Sequence, residues 1–168
     1  MELAARRPLR NFFQHGYVTT DFDQALAHFA DYGLTRWAEM REIDVHVIGD
    51  KHATLSVGLG YFGALQIEVI QPHSGYCAIY NEILPTTGFG LRLHHHGFLL
   101  YDESDYAALR DTHAERGART VIDGLNPRSG NRYFYADTRS ELGHYVEYIY
   151  LTPQGVEDYA KIPQNAGD

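Results

Sequence analysis

Two glutamates stand in the middle of segments that are otherwise apolar or aromatic. Glu68 lies in LQIEVIQP and Glu147 lies in HYVEYIYL, and both segments have the composition of β-strands. A carboxylate among apolar neighbours costs free energy unless it is paired, exposed to water or bound to a cation. Each glutamate is therefore either a solvent-facing strand residue or part of a charged site.

An internal repeat relates these glutamates to two polar residues that precede them in the chain. Both halves of the sequence predict a strand, a helix and three further strands. Gln14 to Glu68 spans 54 residues, and His95 to Glu147 spans 52 residues. Each half thus carries a ligand-capable side chain on its first strand and a glutamate on its last strand.

The first strand of each half has two possible registers. His15 follows Gln14, and a shift of one residue along the strand would turn His15 toward the site instead. The seven-residue spacing to an aspartate near the start of the next helix, which both halves share, favours Gln14 and His95. Strand alternation then predicts that His94 and His96 lie on the opposite face, although three consecutive histidines are also compatible with a surface strand.

The four residues of the repeat form a plausible ligand set for a metal ion. Gln14, Glu68, His95 and Glu147 offer two carboxylates, one imidazole nitrogen and one amide oxygen. Such ligands suit Zn²⁺, Ni²⁺, Co²⁺, Mn²⁺ or Fe²⁺, with positions left open for water or substrate. Two carboxylates facing one cleft would also repel each other unless a cation stood between them.

The first half predicts the elements that must position Gln14 and Glu68. A strand near residues 12–18 leads to a helix that begins at Asp21 and ends at Gly33. Apolar residues at positions 22, 26 and 29 line one face of this helix. Turn residues then separate three predicted strands, at 36–47, 53–59 and 64–70.

The second half repeats the pattern around His95 and Glu147. A strand at 93–101 leads to a helix with Ser104 as its predicted cap and Gly117 as its end. Tyr106, Leu109 and His113 have the spacing of a buried helix face. Three strands are predicted to follow, at 118–122, 132–136 and 144–151.

The two halves are expected to form one domain. Residues 11–73 form the first module, residues 74–92 a linker with a helical turn near 78–84, and residues 93–151 the second module. Residues 152–168 form a polar tail that is expected to fray or to wrap a neighbour.

The motifs IEVIQP, YNEIL, LHHHGFLLYD and GHYVEYI give the chain a family resemblance. Over residues 11–151 it resembles the vicinal oxygen chelate superfamily, which includes glyoxalase I, methylmalonyl-CoA epimerase, extradiol dioxygenases and bleomycin-resistance proteins. It is most similar to the branch of methylmalonyl-CoA epimerase and glyoxalase I. The resemblance implies an α+β fold with two βαβββ modules in a pseudo-twofold arrangement, whose curved sheets form a cleft. It also implies metal ligation by Gln14, Glu68, His95 and Glu147.

The same resemblance implies an activity. A divalent metal would support an isomerase, epimerase or lyase that acts through an enolate or enediolate of a small substrate with a carbonyl or vicinal oxygens. Glu147 would serve as general base, with Glu68 as its counterpart. The alternatives are a non-catalytic sequestering protein of the bleomycin-resistance type and an extradiol-type dioxygenase. A homodimer, with each metal site built within one chain, is also implied.

Composition excludes other classes of function. The net charge of −8 and the pI near 5.6 argue against nucleic-acid binding, which needs a surplus of Lys and Arg. No apolar run approaches the ~20 residues that span a bilayer. The single cysteine, Cys77, and an N-terminus without the pattern of a secretory signal predict a cytoplasmic protein.

Overall fold

The computed structural model describes residues 10–165. Residues 1–9 of the N-terminal segment and the last residues of the predicted tail, 166–168, lie outside this range. The described part contains eight strands and five helices. In chain order they are β1 (Phe12–Thr19), α1 (Phe22–Ala30), β2 (Ala38–Ile48), β3 (Lys51–Phe62), β4 (Leu65–Gly75), α2 (Ala78–Asn81), β5 (Leu91–Leu100), α3 (Glu103–Glu115), β6 (Thr120–Leu125), β7 (Arg132–Ala136), α4 (Arg139–Leu142), β8 (Tyr145–Tyr150) and α5 (Pro153–Tyr159).

All eight strands belong to one mixed sheet, in the order β2–β3–β4–β1–β5–β8–β7–β6. β1 pairs in parallel with β4, and β5 pairs in parallel with β8. The two halves join where β1 and β5 pair antiparallel. The order of strands on one side of this junction repeats on the other side, which confirms the two βαβββ modules and their pseudo-twofold relation.

Two helices cover the outer face of the sheet. Phe22 and Ala25 of α1 are buried against Ile67 and Val69 of β4, the neighbours of Glu68 that point away from it. In the second module, α3 packs its own apolar face on β7 and β8 in the same way. The predicted face of α3 is confirmed, because Tyr106, Leu109 and His113 are all buried.

The helix caps agree with the prediction in one module and correct it in the other. The Asp21 carboxylate accepts a hydrogen bond from the Gln24 amide at 2.9 Å and so caps α1 as predicted. The predicted cap of α3, Ser104, is wrong, because Asp102 occupies the cap position and accepts from the Ser104 amide at 2.8 Å. The Ser104 hydroxyl instead donates to the same carboxylate oxygen at 2.7 Å.

The sheet curves until its edge strands β2 and β6 meet. His46 Nδ1 accepts a hydrogen bond from the Leu125 amide at 3.2 Å, and the His46 carbonyl accepts one from the Tyr133 hydroxyl at 2.6 Å. The sheet therefore surrounds an interior that both modules share, and the largest buried apolar cluster contains side chains from both. None of the helices within residues 10–165 is long and apolar enough to cross a membrane.

The tail forms a defined structure, and the expectation that it frays is wrong for residues 152–165. Thr152 caps α5, with Pro153 at its first position. The chain then returns to the first module, where the Tyr61 amide donates to the Pro163 carbonyl at 2.9 Å. The Asn165 side chain accepts from the amides of Thr35 and Arg36 at 3.0 and 2.8 Å. The tail thus links the end of β8 to the end of β3.

Candidate metal centre

The four residues that the sequence singles out lie on the four central strands of the sheet. β1 carries Gln14, β4 carries Glu68, β5 carries His95 and β8 carries Glu147. Parallel pairing sets Gly16 beside Glu68 and Gly97 beside Glu147. All four side chains point to the inner face, where the structure brings them together next to the pseudo-twofold axis.

Two strand glycines make room for this arrangement. A Cβ atom on Gly16 would lie 1.9 Å from Cε1 of His95, and one on Gly97 would lie 2.5 Å from Oε1 of Gln14. Each ligand-capable side chain therefore lies over the glycine of the opposite strand. Neither glycine was predicted to belong to the site. Two signals in the sequence point to them: QHG at 14–16 and HHG at 95–97 place a glycine at the same position of the repeat, and a glycine within a strand often marks a place where another group packs closely against the backbone.

His95 Nε2 lies at the centre of the cluster. It is 3.0 Å from Glu68 Oε2, 3.2 Å from Glu147 Oε2 and 3.2 Å from Gln14 Oε1. His95 is fully buried, and Glu147 is 5% exposed. One group of three or more His, Cys, Asp or Glu residues among the described residues has its ligand atoms within 4.8 Å of one another, and it consists of Glu68, His95 and Glu147.

This geometry fits a cation better than it fits a set of hydrogen bonds. A single imidazole nitrogen faces three oxygens, and one N–H can point at only one of them. Within the described residues, Glu68 Oε2 and Glu147 Oε2 are buried with no aligned hydrogen-bond donor. An ion bonded at roughly 2.0–2.2 Å to nitrogen and carboxylate oxygen would satisfy both orphaned oxygens at these separations.

The titration behaviour of the cluster reflects the same crowding. Burial raises the pKa of Glu147, and the nearby charge of Glu68 adds to this, although His95 opposes it. Burial lowers the pKa of His95, but the carboxylates of Glu147 and Glu68 outweigh burial and raise it to about 9. Without a metal ion, the imidazole therefore supplies the positive charge that the two carboxylates require.

The structure turns Gln14, and not His15, toward the interior. Gln14 is 1% exposed, whereas the His15 ring packs beside His96 on the other face, with ring centroids 4.8 Å apart. The Gln14 amide nitrogen donates to Gln66 Oε1 at 2.7 Å, which leaves its oxygen directed at His95. Gln66 was missed in the sequence, although its spacing of two from Glu68 puts both side chains on one strand face.

His94 departs from the strand alternation that the sequence predicts. Gly16 pairs with His95 but Tyr17 pairs with Leu93, so His94 is the extra residue of a β-bulge in β5. Its side chain is 1% exposed and enters the interior next to His95. The prediction that His94 lies on the opposite face is therefore wrong, whereas His96 does lie there.

Tyrosines surround the cluster. The Tyr135 hydroxyl lies 3.4 Å from His95 Nε2. Burial raises the pKa of Tyr135 well above its ordinary value, and the negative charge of Glu147 adds to this effect. Burial raises the pKa of Tyr80 on α2 and of Tyr159 on α5 in the same way. All three phenols therefore stay neutral at physiological pH.

Comparisons with known proteins were made for the sequence and for the structure. No protein-family model and no curated protein matches the sequence. Among solved structures, a hypothetical protein from Bacillus halodurans is similar with a TM-score of 0.55 and 14% identity, over 84% of this chain and 94% of that one. Streptomyces coelicolor methylmalonyl-CoA epimerase in complex with 2-nitronate-propionyl-CoA is similar with a TM-score of 0.51 and 15% identity, over 84% and 97%. A methylmalonyl-CoA epimerase in complex with methylmalonyl-CoA has the same score and identity, over 85% and 95%.

These matches cover nearly the whole of the solved chains and include both modules. The chain has the glyoxalase-like fold of the solved methylmalonyl-CoA epimerases. At 14–15% identity the likeness concerns the fold alone, so the chemistry must be argued from the side chains of this protein. In this glyoxalase-like fold, the acidic cluster with His95 lies on the inner face of the four central strands.

Proposed function

We propose that this protein is a divalent-metal-dependent isomerase, epimerase or lyase that moves a proton on a carbon beside a carbonyl group. Its substrate would be a small molecule that reacts through an enolate or enediolate. One observation carries the proposal: two buried carboxylate oxygens without hydrogen-bond partners among the described residues face one imidazole nitrogen at 3.0 and 3.2 Å. The fold, which the solved epimerases share, is compatible with this chemistry.

Gln14, Glu68, His95 and Glu147 would hold the ion. When bound, a divalent ion supplies Lewis-acid charge that stabilises the negative oxygen developing on the substrate. Glu147 would alternate between ion ligand and general base, and when unbound its buried inner-face oxygen would accept the proton from carbon. Glu68 occupies the equivalent place across the pseudo-twofold axis. When it carries a proton of its own, it would donate that proton to the opposite face of the substrate, which is the requirement of an epimerase.

The surroundings favour a compact substrate with apolar substituents. Tyr80 and Tyr135 contribute buried rings, Tyr159 contributes a half-buried ring, and all three have neutral hydroxyls around the cluster. Arg139, near the α2 end of the interior, already pairs with Asp137 and Glu82, each at 2.7 Å. Its charge is therefore neutralised by the protein, which makes it a poor partner for a phosphate group of the substrate.

The ligand set argues against ring-cleaving dioxygenase chemistry. Non-haem iron oxygenases use two histidines and one carboxylate, whereas this cluster offers one histidine and two carboxylates. The other buried histidine beside the cluster, His94, has its two nitrogens next to the Ile79 carbonyl and His95, and so does not reach the carboxylates as a ligand. Sequestration without turnover would use the same interior and is decided by experiment.

The test is hydrogen exchange at the substrate carbon. The purified protein, loaded with Zn²⁺, Co²⁺ or Ni²⁺, is incubated in D₂O with α-substituted thioesters, including methylmalonyl-CoA, and with hemithioacetals of α-ketoaldehydes. Proton NMR should show metal-dependent loss of the α-proton signal with at least one class. Chelation should stop the exchange, and added metal should restore it.

Glu147→Gln separates catalysis from binding in this assay. The variant keeps an oxygen donor but loses charge and basicity, so exchange should fall by about 10²–10⁴-fold while the far-UV circular dichroism stays unchanged. Metal and ligand binding without exchange in the wild-type protein would instead establish sequestration. A wild-type protein that binds no divalent ion would overturn the proposal.

A further inference from the structure

The β-bulge in β5 brings two consecutive histidines into the same interior. His94 lies among the rings of Tyr80, Tyr135 and Tyr145, with ring centroids 4.8–6.0 Å away. Its Nε2 is 2.9 Å from the Ile79 carbonyl of α2, and its Nδ1 is 3.0 Å from Nδ1 of His95. Both of its ring nitrogens are therefore engaged away from the carboxylates.

These two contacts determine where the protons lie. A carbonyl oxygen only accepts, so His94 Nε2 must carry a hydrogen and donate it to Ile79. A second proton on His94 would place an uncompensated charge among the tyrosine rings, so its Nδ1 is an acceptor. The hydrogen between the two imidazoles then belongs to His95 Nδ1, which donates to His94.

We infer that His94 is a positioning residue that fixes the tautomer and the ring orientation of His95. With its hydrogen on Nδ1, neutral His95 presents the lone pair of Nε2 to Glu68 and Glu147, 3.0 and 3.2 Å away. Ligating histidines usually donate their other nitrogen to a carboxylate, a carbonyl or water, and loss of that partner weakens metal binding. Here the partner is the imidazole of His94. In a regular strand this residue would face away from His95, and the β-bulge brings it to the same side. The inference rests on the proposed metal site and adds α2 to the elements that control it.

Three single variants test the role of His94. His94→Phe keeps the ring but removes both hydrogen bonds, and we expect the affinity for Zn²⁺, measured by competition with a chromophoric chelator, to fall about 10- to 100-fold. His94→Asn retains an acceptor close to the position of Nδ1 and should restore most of the affinity. His96→Phe is the matched control, because His96 lies on the outer face of the same strand, and its affinity should stay within about twofold of wild type.

Long-range ¹H–¹⁵N correlation spectra of the imidazoles supply a readout that does not depend on activity. In the zinc-loaded wild-type protein, His95 should carry its hydrogen on Nδ1 and His94 on Nε2. In His94→Phe, the Nδ1 hydrogen of His95 should exchange faster with water or disappear. Unchanged spectra and unchanged affinity in this variant would overturn the inference, as would zinc bound to a nitrogen of His94.

The failure of this inference is distinguishable from failure of the proposed function. If the wild-type protein binds Zn²⁺ but exchanges no substrate proton, the enzymatic proposal fails while the affinities still decide the role of His94. If the wild-type protein binds no metal, the proposed function fails. The spectrum of the metal-free protein then decides whether His94 Nε2 carries the hydrogen that it would donate to the Ile79 carbonyl. An Nε2 without hydrogen would overturn the inference.

Discussion

At the scale of single residues, the candidate centre depends on side chains that meet from strands far apart in sequence. Gln14 and His95 each lie over a glycine of the neighbouring strand, so the two central strands provide both candidate ligands and the space for them. Neither Gly16 nor Gly97 has a positive φ angle, and so the absence of a side chain, rather than backbone freedom, explains them. Substitution of one of these glycines therefore disturbs the site without changing any of the four candidate ligands.

Gly16→Ala should displace the His95 ring. The new methyl group would lie 1.9 Å from Cε1 of the imidazole, which must rotate away from the carboxylates. We expect Zn²⁺ affinity to fall by about 10- to 100-fold in a chelator-competition titration. Gly58→Ala on β3 is the control, because its methyl group would press only on the side chains of Phe22 and Leu26, at 3.2–3.4 Å. Equal affinities in the two variants would contradict the role assigned to Gly16.

Gln14→Ala and His15→Ala test which of two adjacent residues belongs to the centre. The Gln14 oxygen faces His95 at 3.2 Å, whereas the His15 ring packs on Phe12 and His96 outside the interior. Metal affinity should therefore fall in Gln14→Ala and remain near that of the wild type in His15→Ala. The opposite result in the same titration would show that the register of β1 is wrong.

At the scale of elements, local sequence signals explain the helices better than they explain the tail. The spacing of Tyr106, Leu109 and His113 predicts the buried face of α3. The start of this helix requires only a choice between two nearby cap residues, Asp102 and Ser104. The tail was harder, because α5 has few apolar residues and is held by contacts with distant segments. Asn165 alone bonds to the backbone of Thr35, Arg36 and Tyr61, which lie more than 100 positions away.

Asp102→Ala should destabilise the protein more than Ser104→Ala. Asp102 accepts hydrogen bonds from both the amide and the hydroxyl of Ser104, so its loss removes the cap, whereas loss of the hydroxyl leaves the amide bond in place. The midpoint of thermal unfolding should fall by about 2–4 °C in Asp102→Ala, and by less in Ser104→Ala.

The contribution of this cap also depends on pH. Hydrogen bonds from Ser104 lower the pKa of Asp102 in the folded protein. The stabilisation is therefore present above the carboxyl's unfolded pKa and is lost as the pH falls through the lowered, folded pKa. The difference in melting temperature between wild type and Asp102→Ala should shrink under strongly acidic conditions. A difference that persists there would contradict the assignment of the cap.

At the scale of the whole molecule, the curved sheet gathers two buried carboxylates, from β4 and β8, in one interior. Their mutual repulsion opposes folding unless a proton on His95 or a cation compensates it. Binding of a divalent ion at this cluster should therefore raise the global stability of the protein. The homodimer that the family resemblance implies stays a prediction, and the mass of the protein in solution at micromolar concentration will check it.

Zinc should raise the thermal stability of the wild-type protein. An ion that binds only the folded chain adds about 2.7 kcal/mol of stability at a free concentration of roughly 100 times its Kd. The double variant Glu68→Gln, Glu147→Gln should be less sensitive or insensitive to zinc, because it has lost both charged ligands. Differential scanning calorimetry with added zinc or with chelator measures both effects, and an equal response of the two proteins would argue against binding at this cluster.

The sequence by itself determined the repeated order of elements and the four residues that the structure brings together. It could do so because alternation along strands, helix periodicity and the spacing of the repeat are local properties of the chain. The spacing of the repeat already favoured Gln14 over His15. The tertiary structure decided that a bulge carries His94 to the side of His95, and that the tail is folded. These outcomes depend on how β1 pairs with β5 and on contacts between distant segments, which no local pattern encodes.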